Sequence, residues 1–136
     1  AVLDQHDHHA WRLAVVHRGS IVKSTGDGLL ARFDSPHDAI AFATEFRGEV
    51  GRVSLAIRAG VHMGEIEIRQ NRDITGVAVN LAARVEQAAD DGAIFVSSTV
   101  RDMMLGGAVV FDDRGEHDLK GIEGRWRLYE VASTTG

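Results

Sequence analysis

Residues 19–33, GSIVKSTGDGLLARF, decide how the rest of this sequence is interpreted. An Asp-Gly pair between two short apolar runs is typical of a β-hairpin, because glycine accepts the positive φ of a tight turn. The stretch therefore predicts a hairpin with the carboxylate of Asp27 at its tip and Lys23 four residues earlier. Taken alone, it favours an ordinary turn aspartate and a solvated lysine over a functional site.

Length and composition are those of a single folded domain with its own core. The 136 residues are 44% hydrophobic and 26% charged, which is typical of a soluble globular protein. A net charge of -5 argues against an extended nucleic-acid surface. The sequence has no cysteine, which excludes disulfides and a cysteine nucleophile and fits the cytosol. Uncharged runs such as residues 103–111 are far too short to span a bilayer, so we expect a cytoplasmic domain without membrane contact.

The order of predicted elements indicates an α/β (α+β) sandwich, in which helices cover a largely antiparallel sheet. Helices are predicted at residues 1–17, 36–47, 76–89 and from Ser97 or Ser98 to about 105. Strands are predicted in the hairpin and at residues 54–62, 65–69, 93–97, 109–114, 116–119 and 126–131. Strand 54–62 is expected to be central, and strand 65–69 to have one wet face. In helix 76–89, one apolar stripe is expected, formed by Val77, Leu81, Val85 and Ala88.

The first helix carries a group of histidines and aspartates that raises the question of a metal site. His6, His8 and His9 lie close to Asp4 and Asp7 in the sequence. Because a helix cannot aim adjacent residues at one ion, an exposed polar face is favoured over a metal site.

A second group of polar residues lies in residues 72–84, RDITGVAVNLAAR. Asn80 and Arg84 are four apart and share a helix face, where an amide and a guanidinium could grip a ribose oxygen and a phosphate. An ordinary solvated helix face is the alternative. Lys120, in the glycine-flanked turn of residues 118–121, is either a phosphate binder or simply an exposed turn lysine.

Four segments together resemble the catalytic domain of the class III nucleotidyl cyclases, the adenylyl and guanylyl cyclase family. They are VKSTGDGLLARF at 22–33, IRAGVHMGE at 57–65, DITGVAVNLAAR at 73–84 and DRGEHDLKG at 113–121. They follow the family's order along nearly the whole chain and are most similar to bacterial, especially actinobacterial, members. The resemblance implies the ferredoxin-like class III cyclase core.

The resemblance also implies a substrate and a metal. Asp27 matches one of two aspartates that hold two Mg²⁺ or Mn²⁺ ions per site. Lys23 matches the lysine that reads adenine, and Asp73 matches its acidic partner. A lysine donor and an aspartate acceptor suit the ring nitrogen and amino group of adenine, whereas guanine presents the reverse pattern. The implied activity is therefore that of an adenylyl cyclase, which converts ATP to 3′,5′-cyclic AMP and pyrophosphate.

Further roles follow from the same resemblance. Asn80 and Arg84 match the pair that orients the ribose and stabilises charge on the reacting phosphate. Lys120 matches a lysine near the triphosphate, and Ala83 occupies a small-residue position beside the base pocket. The family's head-to-tail homodimer, with its sites at the interface, is implied as well.

One departure concerns the family's first metal aspartate, which lies in an aromatic-x-Asp-Ile-x-Gly motif on a strand before the first helix. Residues 1–136 contain no such motif. We therefore expect a single cyclase homology domain that lacks its first strand. The alternative to a cyclase is a non-catalytic module of the same fold that binds nucleotide or only dimerises. A third possibility is an unrelated α+β domain.

Overall fold

The computed structural model of the chain describes residues 2–25, 28–51 and 56–134. Four helices and eight strands lie within these ranges. In chain order they are α1 (Val2–Val16), β1 (Gly19–Thr25), β2 (Gly28–Phe33), α2 (Pro36–Gly51), β3 (Ala59–Val61), β4 (Glu67–Ile68), β5 (Ile74–Thr75), α3 (Val77–Ala88), β6 (Ile94–Ser97), α4 (Ser98–Met103), β7 (Val109–Asp118) and β8 (Arg125–Thr134).

The central layer of the described part is a four-stranded sheet in the order β3-β6-β8-β7. Only β3 and β6 run parallel, while β6 with β8 and β7 with β8 are antiparallel. The β1–β2 hairpin and the β4–β5 pair form separate two-stranded antiparallel sheets. The expected α+β architecture with a mostly antiparallel sheet is thereby confirmed.

Strand β6 is buried along its whole length because helices cover both of its faces. Ile94 and Val96 pack in one apolar cluster with residues of α2 and α4. Phe95, between them, points to the other face and packs with Leu81 and Val85 of α3. A third cluster joins α1, the hairpin and α2. Strand β6 is thus enclosed between α3 on one side and α2 with α4 on the other.

The second helix is longer than the sequence predicts. The sequence predicts that this helix ends at about residue 47, yet residues 48–51 form its last turn. Val50 is fully buried in the cluster with α1 and the hairpin. Burial of this side chain outweighs the low helix propensity of the glycines around it. In contrast, Ser97 caps α4 as expected, with its hydroxyl accepting a hydrogen bond from Val100 N at 3.5 Å.

Two predicted strands differ in extent or position. Within the described residues, the strand expected at 54–62 is only Ala59–Val61, and it lies at the end of its sheet rather than in the centre. Residues 52–55 lie outside the described ranges. The two strands expected at 109–114 and 116–119 form one strand, β7. Gly115, at φ 80°, lies at an irregularity in the pairing with β8, and the pairing continues on both sides of it instead of ending in a turn.

At two places near α3, side chains that the sequence predicts to be buried are exposed. Glu67 and Ile68 of β4 are both exposed, so this strand does not have the single wet face that its alternation predicts. Its partner β5 was not predicted from the sequence. Val77 was expected in the buried stripe of α3, yet it is 66% exposed, whereas Leu81 and Val85 are buried. Val77 is the first residue of its helix and lies beyond the edge of the packed face.

Candidate functional site

A cleft of about 320 Å³ lies between α3 and the turn that joins β7 to β8. The helix contributes four side chains at helical spacing, and the turn contributes three residues. The lining residues are Asn80, Ala83, Arg84, Gln87, Lys120, Gly121 and Ile122. The helix residues Asn80, Ala83 and Arg84 and the turn residue Lys120, which the sequence proposed as site residues, therefore meet in one cleft.

Apolar packing beneath the turn is what carries Lys120 to the helix. Leu119 is buried in the same cluster as Leu81 and Val85 of α3. The turn is closed by a hydrogen bond from Ile122 N to Leu119 O at 2.9 Å. Gly121 has φ 79°, a conformation that favours glycine at this position. The buried leucine thus fixes the turn against α3 while its neighbour, Lys120, remains exposed.

Strand β3 approaches α3 so closely that only glycine fits at position 60. A Cβ atom on Gly60 would lie 2.6 Å from the carbonyl oxygen of Ala82 and would also overlap the backbone nitrogen of Glu86. Both of these backbone atoms belong to the stretch of α3 that carries the cleft residues. The position of the cleft's helical wall is therefore set by direct backbone packing against the sheet.

The cleft carries two cations, Arg84 and Lys120, and none of the described residues that line it is acidic. Arg84 Nη1 donates a hydrogen bond of 2.7 Å to Gln87 Oε1, three residues later on the same helix. An arrangement of cationic and amide donors in a concave site suits an anion with several oxygens, such as a polyphosphate. Sequence reasoning missed Gln87, although its spacing from Arg84 places both side chains on one helix face.

Lys23 and Asp73, fifty residues apart, form an ion pair. Lys23 Nζ lies 3.1 Å from both carboxylate oxygens of Asp73, one of which also accepts a hydrogen bond from Ile74 N at 2.8 Å. The hydrogen bond from Lys23 is the main cause that lowers the pKa of Asp73, followed by that from Ile74 N. This carboxylate is therefore ionised at neutral pH and acts only as an acceptor. Neither residue is among those that line the cleft.

The predicted metal ligand, Asp27, lies outside the described residues. Within the described ranges no group of three or more histidine, cysteine, aspartate or glutamate residues is arranged to hold a metal ion. That result covers His8 and His9, which are exposed. The side chains of Asp4, His6 and Asp7 are not described, and the assignment of Asp27 to a metal remains a prediction.

A second cleft, of about 380 Å³, lies at the other side of α3 and was not predicted. His62 lines it, and its Nδ1 lies 2.7 Å from the hydroxyl oxygen of the fully buried Ser97. Burial lowers the pKa of His62 below its usual value of 6.5. The neutral ring thus connects β3 to the residue that caps α4, which is a structural role.

Comparison with known proteins decides the family. A sequence model described as "Adenylate and Guanylate cyclase catalytic domain" matches residues 13–133. The chain belongs to this family, the class III nucleotidyl cyclases. The resemblance found in the sequence is thereby confirmed, and the family as a whole consists of nucleotidyl cyclases that act as lyases.

Individual relatives agree with this assignment. The chain is 32% identical over 120 residues to "Putative adenylate cyclase 3" of Rhizobium meliloti, which covers 82% of this chain and 20% of that protein. It is 31% identical to a crystal structure titled adenylate/guanylate cyclase/hydrolase from Silicibacter pomeroyi, with TM-score 0.78, covering 93% of this chain and 80% of that one. The adenylyl cyclase CyaB from P. aeruginosa has the same fold, with TM-score 0.77 at 21% identity, over 98% of this chain and 82% of that one.

The curated relatives are longer proteins. The cyclase domain spans about a fifth of the Rhizobium protein and 33% to 42% of the next ones it matches. In the described part of the chain no helix is long and apolar enough to cross a membrane.

Proposed function

We propose that this domain is an adenylyl cyclase that forms 3′,5′-cyclic AMP and pyrophosphate from ATP. The observation that carries the proposal is the contact between Lys23 and Asp73, which joins the two residues expected to read the base. The family includes both adenylate and guanylate cyclases, so base choice must rest on particular side chains.

The chemistry of the ion pair favours adenine. The lysine ammonium can donate to the ring nitrogen N1 of adenine, and the ionised carboxylate can accept from its exocyclic amino group. Guanine offers a donor at N1 and an acceptor at O6, and would place donor against donor and acceptor against acceptor. In the free protein, where no base lies between them, the two side chains form an ion pair with each other, so neither charge is unpaired.

The cleft residues would bind and orient the rest of ATP. Asn80 would hold the ribose, and Arg84 would face the α-phosphate, where negative charge builds up as the 3′ oxygen attacks. Lys120 would bind the leaving pyrophosphate as a point charge. A fixed guanidinium acts on the transition state more than on the ground state, so Arg84 is expected to contribute chiefly to kcat.

Divalent cations complete the proposed site. Magnesium and manganese prefer oxygen ligands, and the carboxylate of Asp27 is a donor of that type. Two such ions, when bound, would activate the 3′ oxygen and neutralise the leaving group.

We propose that residues 1–136 form a single cyclase homology domain. Two copies of this domain would form a homodimer with the sites at their interface. Lys23 and Asp27 are only four residues apart in the sequence, yet they would serve opposite ends of ATP. The segment from the end of β3 to the start of α3 exposes four large apolar side chains, which suits an interface between copies: Met63, Ile66, Ile68 and Val77. A two-fold axis would place Asp27 of one protomer at the base-reading and cleft residues of the other.

The proposal is tested by measuring cyclic nucleotide formation by the full-length protein with ATP and with GTP. We expect activity with ATP and little with GTP. The double variant Lys23→Glu with Asp73→Gly reverses the donor and acceptor pattern, and should lower the ratio of ATP to GTP turnover by about tenfold or more. A preference of the unaltered protein for GTP would contradict the proposed substrate.

The control is a similar change at another exposed ion pair, Arg101→Glu with Asp102→Gly, near the end of α4. It should leave the ATP to GTP ratio unchanged. Nucleotide binding without any turnover would instead support the non-catalytic module.

A further inference from the structure

We propose that Gln87 is a positioning residue, which fixes the guanidinium of Arg84 toward the triphosphate without neutralising its charge. This inference rests on the proposed function, because it assigns a role within the same site. Gln87 is absent from the sequence-derived set of site residues, and it lines the cleft together with Arg84 and Lys120.

The geometry gives Gln87 a specific partner. Its Oε1 accepts from Arg84 Nη1 at 2.7 Å, a short distance for a hydrogen bond from a cationic donor. Arginine loses considerable rotamer freedom when it is held in one orientation. Because Gln87 already holds Arg84 in the free protein, less conformational entropy is lost when the substrate binds. The guanidinium has five N–H donors, so one bond to Gln87 leaves others for phosphate oxygens.

The neutrality of Gln87 matters as much as its position. A carboxylate at 87 would form an ion pair with Arg84 and would compete with phosphate for it. The neighbouring residue, Glu86, does carry that charge, but it lies near Arg58 instead, with Arg58 Nε 3.9 Å from its Oε1, and it does not line the cleft. The helix therefore keeps its acidic side chain away from the cleft and places an uncharged acceptor beside Arg84.

Two substitutions separate orientation from charge. Gln87→Met keeps the length of the side chain and removes the acceptor, so Arg84 is no longer held. We expect kcat with ATP to fall about tenfold while KM changes less than about twofold, since misorientation affects the transition state most. Gln87→Glu keeps an acceptor but adds a negative charge, so KM for ATP should rise about tenfold.

A third variant tests whether Gln87 acts through Arg84. In an Arg84→Lys background the fork-shaped donor is gone, and adding Gln87→Met should reduce kcat by less than about twofold further. The control is Thr99→Met, which also replaces an exposed polar side chain by methionine on a helix, but in α4 and outside the cleft. It should leave both kcat and KM unchanged. Thermal melting of each variant shows that it is folded, as expected for an exposed helix position.

The outcomes distinguish this inference from the proposed function. If the unaltered full-length protein forms cyclic AMP and Gln87→Met retains full kcat, Gln87 does not position Arg84. The same conclusion follows if Gln87→Met lowers kcat equally in the wild-type and Arg84→Lys backgrounds. If the unaltered protein forms no cyclic nucleotide at all, the proposed function fails and the role of Gln87 fails with it.

Discussion

At the scale of single residues, the ion pair of Lys23 and Asp73 places a cationic donor and an ionised acceptor side by side. Both side chains are partly exposed, so their mutual attraction is screened by water and contributes little to stability. The hydrogen bond from Lys23 lowers the pKa of Asp73 below its usual 3.8, so the carboxylate stays ionised over the whole neutral range. The pair is therefore better suited to recognition than to holding the fold together.

Asp27 is the residue whose removal tests the proposed metal chemistry. Asp27→Ala removes a carboxylate oxygen donor, and we expect it to abolish cyclic nucleotide formation with Mg²⁺ and with Mn²⁺. Loss of a turn carboxylate should change the free energy of unfolding by no more than about 0.5 kcal/mol. The measurement is turnover with each metal, together with a thermal melt.

A matched control is Asp34→Ala, which removes an exposed carboxylate just beyond the end of β2. This variant should retain full activity with both metals. An Asp27→Ala protein that still converts ATP at the wild-type rate would remove Asp27 from the site.

At the scale of elements, α3 organises both the cleft and the sheet. Its buried face packs on β6 and on the β7–β8 turn, while its other face carries the cleft residues. Its distance from β3 is set by the missing side chain at Gly60. A change beneath the helix should therefore affect the cleft although it touches no cleft residue.

Gly60→Ala tests this coupling. The added methyl group would meet backbone atoms of Ala82 and Glu86, which cannot rotate away, so α3 must shift. We expect the free energy of unfolding to fall by about 1–3 kcal/mol and turnover of ATP to fall with it. Chemical denaturation and the activity assay measure the two effects.

The chain offers an opposite control in Gly48→Ala. Gly48 lies inside α2, is exposed, and has no atom within 4 Å of an added Cβ. Alanine there should raise the free energy of unfolding by about 0.5–1 kcal/mol and leave activity unchanged. Equal behaviour of the two variants would show that the close approach at Gly60 does not constrain α3.

At the scale of the whole molecule, the proposed sites are shared between two chains. An Asp27→Ala chain and an Arg84→Ala chain should each be inactive alone in the full-length protein. In the mixed dimer, one site carries both defects and the other carries neither. Activity should return to roughly half of normal per heterodimer if the two sites act independently.

Formation of the heterodimer is checked with two different affinity tags, purified in sequence. A control mixture of two Arg84→Ala preparations should stay inactive, because every site then lacks the guanidinium. If the doubly tagged heterodimer forms and remains inactive, neither chain completes the site of its partner, and the shared-site model is wrong.

Features that depend on near neighbours in the chain could be predicted from the residue pattern alone. The β1–β2 pair, α3 and the serine cap of α4 follow from turn residues, apolar spacing and a hydroxyl at the helix start. Asn80 and Arg84 fall on one face for the same local reason. The contact between Arg84 and Gln87 also follows helical spacing, and could have been predicted from it.

Features that depend on packing between distant parts of the chain could not be predicted in this way. Helix α2 extends through its glycines because Val50 is buried against α1 and the hairpin. Strand β3 lies at the end of its sheet because strand order depends on which strands pair, and the apolar composition of β3 does not specify its partners. Lys120 reaches α3 because Leu119 is buried beneath it, and Lys23 meets Asp73 across fifty residues of chain. Burial of apolar area and pairing of separate strands depend on the whole chain, so residue patterns along the sequence cannot specify them.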